Sequence, residues 1–121
     1  MKSKVNRIAV LTSGGDAPGM NAAVRAVVRT AVFHNITCFA VYKGYQGLID
    51  GDFEEMNARS VNNIVNKGGT ILKSARCLEF RTIEGREKAL KNIQKHKIDL
   101  VIVIGGDGTF TGAMVFQKEH N

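Results

Sequence analysis

Apolar residues fall along this chain in two rhythms. Ile8-Ala9-Val10-Leu11 and Leu100-Val101-Ile102-Val103-Ile104 are short unbroken apolar runs, which by length and flanking residues predict buried strands. The second has five apolar residues without alternation, which predicts a strand covered on both faces, as in a parallel sheet. Thr37 to Tyr42 reads as a further strand, stopped by Gly44. Between the strands the period lengthens. From Asn21 to about His34, Ala23, Val24, Val27, Val28 and Ala31 recur at helical spacing. The opposite side of that helix carries Arg25 and Arg29, four residues apart and so neighbours on one face. From Glu84 to His96 a second helix repeats Ala89, Leu90 and Ile93, with Lys91, Lys95 and Lys97 near its C-terminal end, where the helix dipole favours cations. Ser60 is the predicted N-cap of a short helix holding Val61, Ile64 and Val65, closed by Gly68-Gly69. Thr70-Ile71-Leu72 reads as a brief extended piece, and Thr109 opens a last helix that runs to the chain end.

Strands and helices alternating through short turns make a βαβ pattern. The predicted fold is α/β: a three-layer αβα, Rossmann-like single domain over residues 1–121 with a mostly parallel sheet. That sheet is expected to be incomplete at its C-terminal side, because the chain stops just past a helix with no closing strand. There is no internal repeat and no low-complexity segment.

Composition narrows this picture only a little. Hydrophobic residues at 44% and charged residues at 23% are ordinary for a soluble α/β domain. No stretch approaches the roughly 20 apolar residues that span a bilayer, and the first residues lack the apolar core of a signal peptide. The expectation is a cytoplasmic protein with no membrane partner. Cys38 and Cys77 are too few for a disulfide framework and lack metal-ligand spacing. Cys38 sits in an apolar run as a small core residue. Cys77 follows Arg76 and reads as a packed or lining thiol. The net charge of +6 favours anionic partners. Nucleic acid is the weaker option, since the basic residues are dispersed and aromatics, at 7%, do not interleave with them. A small phosphorylated ligand needs fewer assumptions.

Two glycine-rich turns carry the candidate chemistry, Ser13-Gly14-Gly15-Asp16 and Gly105-Gly106-Asp107-Gly108. Each follows a predicted strand and precedes a predicted helix. Ligands of open α/β sheets bind beyond the carboxyl ends of the strands. Glycine there permits positive φ and removes the Cβ that would block a phosphate, and the next helix offers N–H groups and partial positive charge. Neither turn is a Walker loop or a dinucleotide G-x-G-x-x-G signature, and a Gly-Gly pair after a strand is as often a plain tight turn. Asp107 is more informative. A carboxylate beside a phosphate repels it unless a cation intervenes, which points to Mg²⁺ held jointly with a nucleotide. The competing role is a cap on the next helix, which Thr109 could fill equally. Between the turns, Ser74 to Arg81 places Arg76 and Arg81 in a loop. Such arginines either neutralise a transferred phosphoryl group or are solvated surface.

Taken in order, the runs Thr12 to Ala22, Lys43-Gly44-Tyr45-Gln46-Gly47-Leu48, Gly68-Gly69-Thr70, Ser74-Ala75-Arg76 and Ile104 to Gly108 closely resemble the N-terminal part of 6-phosphofructokinases. The resemblance covers nearly the whole chain. Gly-Gly-Asp-Gly-Thr, spelled by Gly105 to Thr109, is also similar to the signature of NAD and diacylglycerol kinases. The phosphofructokinase motif more often ends in Ser, so Thr109 departs from it while keeping a hydroxyl.

The resemblance implies transfer of the ATP γ-phosphoryl group to the 1-hydroxyl of fructose 6-phosphate with Mg²⁺. It implies that Gly15, Gly106, Asp107, Gly108 and Thr109 hold ATP phosphates and that Asp107 takes the metal. Arg76 would bridge the transferred charge with Cys77 beside the nucleotide, and Tyr45 and Arg81 would lie along the ATP site. Pyrophosphate-dependent relatives carry Asp where Gly108 stands, so the resemblance favours ATP. In bacterial members a site between subunits binds ADP or phosphoenolpyruvate as effectors. Arg25 and Arg29 match its helix arginines, while Ala58 stands where an Arg is expected and Arg59 follows one place later. The full-length protein is expected to be a homotetramer. The family's catalytic base is an Asp in a Thr-Ile-Asp-Asn-Asp run that this chain does not contain, and general-base activation of a sugar hydroxyl needs that carboxylate within reach. This chain alone is therefore expected to be inactive. Set against this are a non-catalytic nucleotide-binding or regulatory module, a pyrophosphate-dependent enzyme, and a kinase of the NAD or lipid type.

Overall fold

A computed structural model of the chain describes residues 5–13, 19–62, 64, 71–73 and 79–105. Strand β1 (Arg7–Thr12) leads to helix α1 (Met20–Phe33) and strand β2 (Thr37–Val41). Helix α2 (Tyr45–Asp50) and strand β3 (Phe53–Met56) follow, then 3-10 turns at Ala58–Val61 and Glu79–Arg81. Helix α3 (Ile83–Lys95) returns to strand β4 (Leu100–Ile104). The sheet order is β3-β2-β1-β4. β1 pairs in parallel with β2 and β4, and β3 runs antiparallel to β2 at the edge.

Side chains alternate across β1 and so feed two cores. Ile8 and Val10 pack with Val24, Val28 and Ala31 of α1, and with Cys38 and Ala40 of β2. Ala9 and Leu11 face the other way, toward Tyr45, Leu48 and Ile49 of α2 and Ala89 and Ile93 of α3. Helices thus lie on both faces of a mostly parallel sheet, the three-layer arrangement that the apolar rhythm predicts. β4 touches both cores, Ile102 and Ile104 on one side and Val101 and Val103 on the other. Among the described residues it is half-buried, with Leu100 exposed. No helix among the described residues is long and apolar enough to cross a membrane.

Local chemistry sets the element ends. Thr82 caps α3, its hydroxyl accepting from Gly85 N–H at 3.0 Å. Three readings from sequence are corrected. Ser60 is not a helix N-cap, and the predicted run from Val65 to Gly68-Gly69 lies outside the described residues. Asn57 is the cap of a 3-10 turn, accepting from Ser60 N–H at 3.0 Å while Ser60 Oγ accepts from Asn57 N–H at 3.1 Å. Ile71 and Leu72 lie in a turn rather than an extended piece, because their backbone groups bond to α1 and the β2–α2 connection instead of to a strand. Arg81 ends a 3-10 turn rather than lying in a loop. Residues 109–121, expected to be helical, lie outside the described residues.

Helix α2 and strand β3 were not foreseen. α2 has six residues, below the length at which isolated helices are stable, and it depends on tertiary contacts. Asn92 Nδ2 of α3 donates to the carbonyls of Leu48 at 2.7 Å and Ile49 at 2.9 Å, capping the end of α2 from outside. Gly47 lets α2 close onto β2, since a Cβ there would lie 1.9 Å from the Tyr42 carbonyl oxygen.

Cys38 is buried in the core and has no disulfide partner. Burial pushes its thiol up to about 11 from 9.0. A raised folded-state pKa gives stability that is complete below pH 9 and lost as pH climbs through 11. Urea unfolding at pH 8 and pH 10.5 should show a Cys38-dependent loss of about 1–2 kcal/mol, absent in Cys38→Ala.

Candidate functional site

β1 and β4 are neighbours, and their carboxyl ends stand side by side with Thr12 in register with Ile104. The next residue continues the pairing, Ser13 N–H donating to the Ile104 carbonyl at 2.9 Å. The two glycine turns thus leave the sheet from one point. β1 sits between β2, reached through α1 on one side, and β4, reached after α3 on the other. That reversal makes the β1/β4 edge the switch point where open α/β sheets bind ligands.

Helix α1 begins at Met20, immediately beyond the first turn. Gly19 precedes it with φ of 92°, a left-handed conformation that glycine adopts without the usual Cβ penalty. Among the described residues no side chain caps the helix start, and no acidic residue lies in its first turn, so its positive end is not neutralised by the helix's own residues. The β2–α2 connection crosses the same edge. Gly44 has φ of 61°, and a Cβ on it would lie 2.9 Å from the Thr12 carbonyl oxygen. The Lys43-Gly44 turn therefore packs directly over the end of β1.

Of the residues singled out from sequence, Gly15, Arg76, Cys77, Gly106, Asp107, Gly108 and Thr109 lie outside the described residues. Tyr45 opens α2 just past Gly44. Its ring is buried and stacks on Phe80, with centroids 4.2 Å apart and planes 16° from parallel. Phe80 precedes Arg81, so the stack joins α2 to the turn that ends in that arginine; Arg81 itself is exposed. The Phe80 carbonyl accepts from the buried Arg86 guanidinium at 2.8 Å. Arg25 is half-buried and Arg29 exposed on α1. Arg59 is exposed on the 3-10 turn that packs against α1, whose Val61 joins Val24 and Val28 in the core. Among the described residues, no ion pair involves these three arginines; Lys88 and Glu79 form one at 2.9 Å.

Residue typing passes over Thr12, Asn21 and Lys43, yet all three bond to residues 71–73 above this edge. Their only trace in sequence is membership of the runs around the first turn and Gly44. Among the described residues no three His, Cys, Asp or Glu side chains converge as metal ligands. A Mg²⁺ ion held by one carboxylate and substrate phosphates does not require such a cluster.

The chain matches the Phosphofructokinase family over residues 7–121. It is 56% identical over 116 residues to the ATP-dependent 6-phosphofructokinase of Cytophaga hutchinsonii, a match covering 96% of this chain and 35% of the relative. Against the enzyme of that name from Thermotoga petrophila the figures are 58% over 116 residues, 96% and 36%. The chain thus spans about a third of the length of these curated relatives. Among solved structures, Pichia pastoris phosphofructokinase in the T-state superposes with a TM-score of 0.92 at 46% identity, over 98% of this chain and 13% of that one. A pyrophosphate-dependent phosphofructokinase from Marinobacter aquaeolei shares the fold, with a TM-score of 0.81 at 18% identity, over 95% of this chain and 30% of that one.

The Tyr45–Phe80 stack lies in the core, so its loss is first a loss of packing. Tyr45→Ala should lower unfolding stability by about 3 kcal/mol, read from urea midpoints.

Proposed function

The chain belongs to the phosphofructokinase family, and on that premise we propose that it is the ATP-holding portion of an ATP-dependent 6-phosphofructokinase. The reaction is transfer of the ATP γ-phosphoryl group to the 1-hydroxyl of fructose 6-phosphate, giving ADP and fructose 1,6-bisphosphate in the cytoplasm. One observation carries the reading. Ser13 N–H bonds to the Ile104 carbonyl at 2.9 Å, so two glycine-rich turns start from one point at the switch of the sheet.

In this reading Gly15 lies against the phosphates from the first turn, and Gly106, Asp107, Gly108 and Thr109 line them from the second. Backbone N–H groups of such turns and the positive start of α1 suit an anion. Asp107 would hold Mg²⁺ jointly with the nucleotide, and the metal would supply charge neutralisation at the phosphates. Arg76 meets the transferred group, where a fixed guanidinium stabilises developing charge. Cys77 lines the nucleotide, and Tyr45 and Arg81 border the site. Gly108 leaves room that a carboxylate would fill with negative charge, which favours ATP over pyrophosphate. Arg25, Arg29 and Arg59, on two packed elements and without carboxylate partners among the described residues, suit an anionic effector such as ADP or phosphoenolpyruvate at a contact between subunits of a homotetramer.

Calorimetric titration of the chain with MgATP tests the site. Asp107→Ala and Gly108→Asp should each weaken binding about tenfold or more, and unchanged affinity in both would overturn the assignment of the second turn. Because the chain contains no Thr-Ile-Asp-Asn-Asp run, the purified 121 residues should form no ADP in response to fructose 6-phosphate. Measurable turnover would show that another group serves as the base.

A further inference from the structure

Residues 71–73 are seated on the carboxyl edge of the sheet by bonds to three separate elements. Asn21 Oδ1, in the first turn of α1, accepts from Ile71 N–H at 2.7 Å. The Leu72 carbonyl accepts from Lys43 N–H at 2.9 Å. The Lys73 carbonyl accepts from Thr12 Oγ1, at the end of β1, at 3.2 Å. Between these bonds the Leu72 side chain is fully buried, packed in the core that holds Val24, Val28 and Val61. Thr12 is 0% exposed and Asn21 3%, so water does not compete for either bond. Lys73 has φ of 59°, a left-handed conformation that a non-glycine residue keeps only when its surroundings hold it there.

We propose that Asn21 and Thr12 are positioning residues for the nucleotide site, fixing where the chain leaves residues 71–73 toward Arg76, three positions beyond Lys73. Thr12 and Asn21 also flank the first glycine turn, one before it and one after it. The same rigid pieces that frame the phosphate-holding turn therefore set the origin of the segment that bears the phosphoryl-neutralising arginine. Small displacements of such a group cost much of its effect, since the stabilisation depends on preorganised placement. Neither residue is assigned a contact with the nucleotide. Their effect should fall on the γ-phosphate, which Arg76 meets, and spare the rest of the ligand. The inference rests on the nucleotide reading above.

The test compares MgATP and MgADP affinities of the full chain for Thr12→Val, Thr12→Ser and Asn21→Leu, with amide exchange at Ile71 followed by NMR. Thr12→Val and Asn21→Leu should weaken MgATP about fivefold and MgADP less than twofold, the scale of one lost hydrogen bond. Thr12→Ser should restore the preference for MgATP, and Asn21→Leu should speed Ile71 exchange. Equal losses for both nucleotides, an unchanged ratio, or unaltered Ile71 protection would overturn the assignment. Wild-type chain that binds no MgATP would instead sink the nucleotide reading, and this inference with it. Should Asn21→Leu fail to fold, the near-isosteric Thr12→Val and its Ser counterpart decide the question.

Discussion

The parallel pairing of β1 with β4 is the constraint on which the rest depends. It is pinned at both ends. At the amino edge the Asp99 carboxylate accepts from Asn6 N–H at 2.9 Å and Arg7 N–H at 3.0 Å, and Asp99 N–H donates to the Arg7 carbonyl at 2.8 Å. Those backbone donors hold the Asp99 carboxyl below its ordinary value, so this clamp is complete above the usual carboxylate range and weakens only in acid. At the carboxyl edge Ser13 N–H closes on Ile104. A slip of one residue would reverse the faces of every β4 side chain, putting Val101 and Val103 where Ile102 and Ile104 pack. It would also separate the glycine turns. Register here is therefore a condition of the site as much as of the core.

The elements legible in sequence are those whose burial repeats over enough residues to show a period. Val24, Val28 and Ala31 mark α1, and Ala89 and Ile93 mark α3, because each helix presents one face to the sheet for three turns or more. β4 reads as five apolar residues because it touches a core on each side. β3 has no such signature. Its Phe53-Glu54-Glu55-Met56 sequence buries only its ends, and it forms by pairing with β2 at the sheet edge. α2 owes its end to a side chain 44 residues away, Asn92, which no local window contains. The 3-10 turn at Ala58–Val61 was misread for a related reason. Asn57 and Ser60 satisfy each other, and a reciprocal pair leaves either residue open to being taken for the cap.

In the sequence, strand, glycine turn and predicted helix succeed one another twice, and the structure sets the ends of those two strands side by side at the edge where the switch-point rule puts a candidate site. What holds that edge together was not legible. Thr12 and Asn21 are small polar residues whose partners lie 61 and 50 positions away, and their types suggest a hydroxyl near a turn and a helix-start amide, nothing more. Tyr45 shows the opposite difficulty. The resemblance puts it along the ATP site, yet its ring is already stacked on Phe80. Its link to the edge runs through Gly44 beside it, and through Phe80 to Arg81.

The glycines of these turns have no side chains with which to anchor the chain, so their geometry depends on what flanks them. The first turn is bounded by Ser13, bonded to β4, and by α1, whose Val24 and Val28 are fully buried. Gly44 lies so close to the Thr12 carbonyl that any other residue would force the connection upward. Lys43, beside it, is held left-handed with φ of 64° while its N–H secures Leu72. At Gly44 and Gly19, the described glycines with positive φ at this edge, the chain is held by a buried contact or a backbone bond within a residue or two. A phosphate site made of backbone donors works only if those donors do not reorganise when charge arrives. Around Thr12, Ser13 and Gly44 bonds and buried contacts, rather than the glycines alone, hold this edge of the sheet in place.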